Sequence, residues 1–105
     1  MRIVSRGKLR DFWQQSAYRD SKVSLETWYD VTHAARWTSH DDVKRSFGAR
    51  VDLAHGLYIF DIHGNSYRLV CRIDFLRHGV LTLWIGPHAD YDALCRSRGH
   101  GLKEL

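Results

Sequence analysis

The chain has 105 residues, 44% of them hydrophobic and 27% charged, which predicts one folded domain over residues 1–105. The same composition excludes a disordered chain, and one proline with eight glycines excludes a collagenous or linker-rich one. Sixteen basic against 12 acidic residues give a net charge of +4, and because arginine supplies 12 of the 16, we expect a polyanionic or acidic partner.

The first half of the chain has the spacing of apolar residues that is typical of helices. Leu9, Phe12 and Trp13 share one face of the first predicted helix. Asp20 or Ser21 is expected to be the N-cap of the second predicted helix. The predicted elements are a strand over residues 2–5, helices over residues 8–15 and 21–35, and a short helix between Ser39 and Gly48.

After Gly48 the apolar residues recur at every second position, as they do in strands. The predicted strands cover residues 50–54, 57–62, 66–76 and 80–85, and a short helix is predicted over residues 90–96. Glycine-containing turns separate the strands, which indicates antiparallel hairpins in series. The fold class is therefore predicted to be α+β, with two N-terminal helices on one face of an antiparallel three- to four-stranded sheet and a short C-terminal helix.

The turn lengths predict which strand residues face each other. A three-residue loop would place Leu76 opposite Val80, and an equally short loop would place Ile62 opposite Ser66. The apolar core face would then consist of Leu57, Ile59, Tyr67, Leu69, Cys71, Ile73, Phe75, Leu81, Leu83 and Ile85. The opposite, exposed face would consist of Tyr58, Phe60, Arg68, Val70, Arg72, Asp74, Thr82 and Trp84. Such a face is typical either of stabilising cross-strand pairs without a ligand or of a groove for single-stranded nucleic acid.

Three side chains are expected to converge at one edge of the exposed face. The predicted register places His88 opposite Arg68, and Tyr91 follows on the same side if that segment is helical. A fixed cation can stabilise the charge of a phosphodiester transition state, while histidine and tyrosine can transfer protons. The set is compatible with phosphodiester cleavage, although each residue alone also has an ordinary surface role. On an exposed face, truncation of Arg68 is expected to cost little stability.

The seven histidines and two cysteines lack the spacing of metal ligands, so we expect neither a metal site nor a cofactor. Cys71 and Cys95 are interpreted as packing residues in a reducing compartment. No apolar run approaches the roughly 20 residues of a membrane-spanning helix, and the N-terminal segment lacks the apolar stretch of a signal peptide. We therefore expect a cytoplasmic protein without a membrane partner.

Two segments resemble the HigB branch of the RelE-type toxins. Residues 64–70 follow the pattern GNxxRLV, and residues 88–92 follow the pattern HxxYD. The resemblance implies a RelE-like fold and a ribonuclease that cuts messenger RNA, typically on the ribosome, and that is inhibited by a helix-turn-helix antitoxin of the HigA type. It also implies a metal-independent reaction in which a ribose 2′-hydroxyl attacks the adjacent phosphate and leaves a cyclic phosphate and a 5′-hydroxyl.

The resemblance assigns roles residue by residue. Arg68 matches the arginine that stabilises the transition state, His88 and Tyr91 match acid/base positions, and Lys22 matches a basic helix position that would touch the RNA backbone. Some relatives have a histidine in the region of Ser21, and a serine cannot replace it as a general base. Together with Lys22, the residues expected to contact RNA are Arg72, Trp84, Arg96 and Arg98.

A protein of another class remains compatible with the same residues. A sheet with arginines and aromatic side chains can hold RNA or an acidic partner without catalysis, because a fold alone does not fix a function. Growth arrest on expression, relieved by a co-expressed neighbouring gene, would distinguish a toxin from such a binding module.

Overall fold

The computed structural model describes residues 1–96, 101–102 and 105, and it confirms the α+β class. The strands are β1 (Arg2–Val4), β2 (Val51–Ala54), β3 (Leu57–Ile62), β4 (Tyr67–Asp74) and β5 (Gly79–Pro87). The helices are α1 (Arg6–Trp13), α2 (Lys22–Ala34), α3 (His40–Phe47) and α4 (His88–Arg96), with 3-10 turns at Ser16–Ser21 and Gly48–Arg50.

The strands form one five-stranded mixed sheet in the order β1-β5-β4-β3-β2, so the prediction of an antiparallel sheet with three to four strands was wrong. The difference is β1, which pairs with β5 in parallel, Arg2 lying opposite Gly79. A three-residue strand has too little local pattern to show its partner, which lies at the other end of the sequence. Where β1 ends, the Thr82 hydroxyl donates to the Val4 and Ser5 carbonyls, and the Lys8 ammonium donates to the Leu83 carbonyl.

Both predicted hairpin registers are wrong, because the loops contain four residues rather than three. Ile62 lies opposite Tyr67, and Asp74 lies opposite Gly79. Strand β4 ends early because the Asp74 carboxylate accepts a hydrogen bond of 3.0 Å from the Arg77 backbone N–H, which starts the turn there.

A shift of one residue moves strand side chains to the opposite face of a sheet. Tyr58 and Phe60 are therefore buried in the core, whereas Leu57 and Ile59, expected in that core, point to the other side. In β5 a bulge opposite Val70 and Cys71 adds one residue. The four-residue loop itself places Thr82 opposite Cys71 on the core side and Leu81 opposite Arg72 on the other side, contrary to the prediction, whereas the bulge makes Leu83 the extra residue, on the side of the second core.

The two faces of the sheet have separate cores. On the first face α1, α2 and α3 pack through side chains that recur at helical spacing, among them Leu9, Phe12, Leu25, Trp28 and Val43. On the second face, which was expected to be exposed, α4 and Leu102 cover Leu57, Ile59 and Val70. No helix in the described part of the chain is both long and apolar enough to span a membrane.

Candidate active site

Arg68 lies in β4 on the second face, where its side chain is only 11% exposed. Its Nε lies 3.2 Å from Oδ1 of Asp61, and its guanidinium donates to the Asn65 side-chain oxygen and to the carbonyls of Asn65 and Tyr67. The expectation that this arginine is exposed was therefore wrong, and truncating its side chain would remove contacts that the sequence analysis did not foresee. These contacts hold the guanidinium in one orientation at the loop between β3 and β4.

Tyr91 lies in α4, near Arg68. Burial and a hydrogen bond with Cys95 raise the pKa of the Tyr91 hydroxyl, while the positive charge of Arg68 lowers this pKa and the Asp52 carboxylate raises it. Because the raising causes dominate, the phenol is protonated at neutral pH. It can therefore donate a proton or a hydrogen bond beside the guanidinium.

His88 is the first residue of α4, and its backbone N–H donates to the Ser66 carbonyl at 2.9 Å. The prediction that it faces Arg68 across the sheet was wrong, because Gly86 occupies that position. His88 nevertheless lies at the same end of the sheet, because Ser66 belongs to the loop that Arg68 holds. The His88 Nε2 lies 3.3 Å from Oδ2 of Asp92, while the buried Nδ1 has no hydrogen-bond partner in the described structure.

A carboxylate that contacts an imidazole fixes the orientation of the ring. Asp92 contacts His88 in this way. Asp61 and Asn65 orient the Arg68 guanidinium through their side-chain oxygens. Sequence reasoning missed these three supporting residues. The i,i+4 spacing of His88 and Asp92 was the one local signal that could have found a pair.

Two residues of β5 lie next to the proposed catalytic side chains: Gly86 lies opposite Arg68, and Trp84 lies near Tyr91. The Trp84 and Tyr91 ring centroids are 6.2 Å apart. A Cβ atom on Gly86 would lie 2.7 Å from the Trp84 ring, so the indole position requires a glycine opposite Arg68. Trp84 was expected opposite Arg72, but it lies opposite Val70 because of the changed register.

The remaining predicted RNA contacts are scattered. Lys22 is exposed at the start of α2, where it lines a shallow pocket together with Arg19. Arg72 is exposed in β4, and Arg96 is exposed at the end of α4. Arg98 lies outside the described residues. The start of α2 is connected to this end of the sheet because the Tyr67 hydroxyl donates to the Asp20 carboxylate.

Ser21 has a structural role at the position where some relatives have a histidine. It is fully buried, and its hydroxyl donates to the Tyr18 carbonyl at 2.6 Å, which closes the 3-10 turn before α2. Within the ranges 1–96, 101–102 and 105, no three His, Cys, Asp or Glu side chains are grouped so that they could hold a metal ion.

One known protein family matches most of this chain. The family model HigB_toxin, described as the RelE-like toxic component of a toxin-antitoxin system, matches residues 21–94. The match includes Arg68, His88 and Tyr91 and excludes β1 and α1. A search of curated proteins gives no significant match.

Proposed function

The chain belongs to the HigB toxin family, the RelE-like toxic components of toxin–antitoxin systems, and we propose that it acts as a metal-independent endoribonuclease on messenger RNA. The observation that carries this proposal is that Arg68, His88 and Tyr91 lie at one end of the sheet. Gly86 lies opposite Arg68, the His88 backbone N–H donates to the Ser66 carbonyl at 2.9 Å, and the Tyr91 ring centroid lies 6.2 Å from that of Trp84. A cation and two proton-transferring groups at one edge of a sheet are the groups that phosphodiester cleavage requires.

In the proposed reaction the ribose 2′-oxygen attacks the adjacent phosphorus while Nε2 of His88, which exchanges its contact with Asp92 for the substrate because Nδ1 is buried, accepts the 2′-hydroxyl proton. The bond from phosphorus to the 5′-oxygen breaks, and Tyr91 donates its proton to that leaving oxygen. Arg68 stabilises the negative charge on the phosphate oxygens in the transition state. Before RNA binds, Asp92 orients the imidazole through its contact of 3.3 Å with Nε2. The products are a cyclic phosphate and a 5′-hydroxyl.

Family membership implies an antitoxin partner, and we propose that it is a helix-turn-helix protein of the HigA type. We further propose that cleavage takes place in the cytoplasm on the translating ribosome. The net charge of +4 supports an RNA substrate, because cationic surfaces attract the phosphate backbone. Helix α4 covers the middle of the second face, so the RNA strand would approach from the edge that carries His88.

The proposal is tested with the purified chain on RNA of defined sequence, free and on programmed ribosomes. We expect a cyclic phosphate product, a lower single-turnover rate for His88→Ala and for Tyr91→Phe, and unchanged cleavage of free RNA in a chelator. Free RNA is needed for the chelator test because ribosomes themselves need magnesium. Cleavage that stops in EDTA and resumes with a divalent ion, or a product without a cyclic phosphate, would contradict the proposed mechanism.

A non-catalytic toxin is the second candidate, and one observation favours it. The Arg68 guanidinium is already bonded to Asp61 and Asn65, which leaves it few free donors for a substrate. The combined variant His88→Ala with Tyr91→Phe distinguishes the two. Growth arrest that persists in this variant would support binding without catalysis, whereas its loss in a folded protein would support the ribonuclease.

A further inference from the structure

Arginines are concentrated at the end of the sheet opposite to Arg68. Arg2, Arg72 and Arg77 line a concave pocket of about 250 Å³, and Arg2 and Arg77 also line an adjoining pocket of about 350 Å³. We call the surface formed by both the arginine pocket, and its cationic or titratable members are Arg2, Arg36, Arg72, Arg77 and His78.

The fold brings these residues together from distant parts of the sequence. The Arg2 backbone N–H donates to the His78 carbonyl at 2.8 Å, which fixes the start of β1 against the loop between β4 and β5. Arg36 follows α2, and the neighbouring Ala35 carbonyl accepts a hydrogen bond from the N-terminal amine. The arginine pocket is therefore built by the parallel pairing of β1 with β5.

The charge of the arginine pocket is not balanced by its lining residues. Asp74 is the acidic residue among them, and its carboxylate lies 3.9 Å from Nε of Arg77. Arg2, Arg36 and Arg72 form no ion pair with any carboxylate in the part of the chain that the structure describes. Exposed cations that share a concavity raise the local concentration of anions, and guanidinium groups bind phosphate bidentately.

Arg72 lies on the same strand and the same face as Arg68. The two are four residues apart in β4, so a rise of about 3.3 Å per residue separates them by about 13 Å. Arg72 is exposed, whereas Arg68 is held by Asp61. Val70, between them on this face, is covered by α4 and Leu102, so an RNA strand would pass beside α4 to reach Arg2, Arg72 and Arg77.

We propose that the arginine pocket is a second phosphate-binding site, which holds the backbone of the same single-stranded RNA several nucleotides away from the cleaved bond. The proposal rests on the proposed function for its substrate. An RNA strand is favoured over a protein partner by charge: four arginines line the arginine pocket together with one carboxylate, that of Asp74, so the concavity attracts a polyanion.

The test measures binding of 2′-O-methyl RNA, which cannot be cleaved through its 2′-oxygen, at lengths of about 4 and about 12 nucleotides. The variant combines Arg2→Gln with Arg72→Gln, and Arg36→Gln provides an independent second variant. Arg10→Gln is the matched control, because Arg10 is also exposed but lies in α1, which packs against the first face. Thermal melting verifies that each variant is folded.

For the longer RNA we expect the double variant to bind about tenfold more weakly and the slope of log affinity against log salt to fall by about 1.4, which corresponds to two phosphate contacts. The short RNA and the Arg10→Gln control should show no change. Equal affinity of wild type and both pocket variants for the longer RNA would overturn the proposal. It would also be overturned if these variants lost binding to the purified antitoxin while retaining RNA affinity, because the pocket would then be a protein-binding surface.

The two proposals fail separately. If the wild-type chain does not cleave ordinary RNA but shows the length-dependent loss in the pocket variants, the arginine pocket is supported and the ribonuclease function is wrong. If cleavage is observed and the pocket variants bind normally, the opposite conclusion follows.

Discussion

Replacing Arg68 with alanine tests both the stability and the activity that we assign to it. The side chains of Arg68 and Asp61 are 11% and 28% exposed, so their ion pair lies between a surface pair, worth about 0.2–1 kcal/mol, and a buried pair, whose breakage costs about 3–5 kcal/mol. We therefore expect Arg68→Ala to lower the free energy of unfolding by about 2 kcal/mol. For a domain of this size that corresponds to a fall in Tm of roughly 10 °C.

The expected effect on activity is separate. Removing a positioned cation from a phosphoryl transition state costs about 2–4 kcal/mol, which is a decrease of roughly two to three decades in single-turnover rate. Adding Asp61→Asn removes the carboxylate that Arg68→Ala leaves without a partner, so the double variant should regain about 1 kcal/mol of stability. It should not regain cleavage.

Urea unfolding, thermal melting and single-turnover cleavage of the single and double variants check these expectations. An Arg68→Ala protein that melts like wild type would show that the contacts with Asp61 and Asn65 contribute nothing to stability. A double variant that regains cleavage together with stability would show that Arg68 acts only through folding. Either result would refute the corresponding part of the reasoning.

Further outcomes follow from other contacts. The hydrogen bond to Asp20 raises the pKa of Tyr67 to about 12 from its ordinary value near 10, so this stabilisation should be complete below pH ~10 and disappear as the pH rises to about 12. Urea unfolding at alkaline pH should show a weaker pH dependence in Tyr67→Phe than in wild type, and identical profiles would contradict the assignment. Gly86→Ala should displace Trp84, change its fluorescence and cost about 1–3 kcal/mol. Gly79→Ala in the same strand, where the added Cβ would lie 4.0 Å from the Arg2 carbonyl oxygen, should leave the fluorescence unchanged. RNA affinity of the wild-type chain should fall steeply with salt, and salt-independent binding would exclude an electrostatic interaction.

The sequence predicted those parts of the fold that depend on local pattern. Strand β3 was predicted with its observed bounds, Leu57–Ile62, and the turn before it contains His55 and Gly56, both with positive φ. In α2, Leu25, Trp28 and Thr32 are buried at the predicted helical spacing. In each case the signal lies within a few neighbouring residues.

The errors came from interactions between distant residues or from side chains that bond to the backbone. The turn that starts at the Asp74 carboxylate has a local signal, an aspartate three residues before Arg77, which the prediction of a strand to residue 76 did not use. Nothing local indicates that Leu83 is the extra residue of a bulge. The cover of the second face depends on Leu102, far along the chain from the Leu57 that it helps to bury. For the candidate site, sequence motifs identified Arg68 and Tyr91, but their supporting residue Asp61 became visible only with the register.

The pairing of β1 with β5 has a consequence for how the protein is synthesised. The Thr82 hydroxyl bonds to the Ser5 carbonyl across 77 positions, so β1 stays without its neighbour until β5 has been synthesised. Non-local pairs of this kind form late in folding, because a long loop must close first. Helix α4, with His88 and Tyr91, is translated later still. A chain released before residue 79 therefore lacks the partner strand of β1 as well as two of the three proposed catalytic groups, so the proposed activity requires a chain that continues through α4.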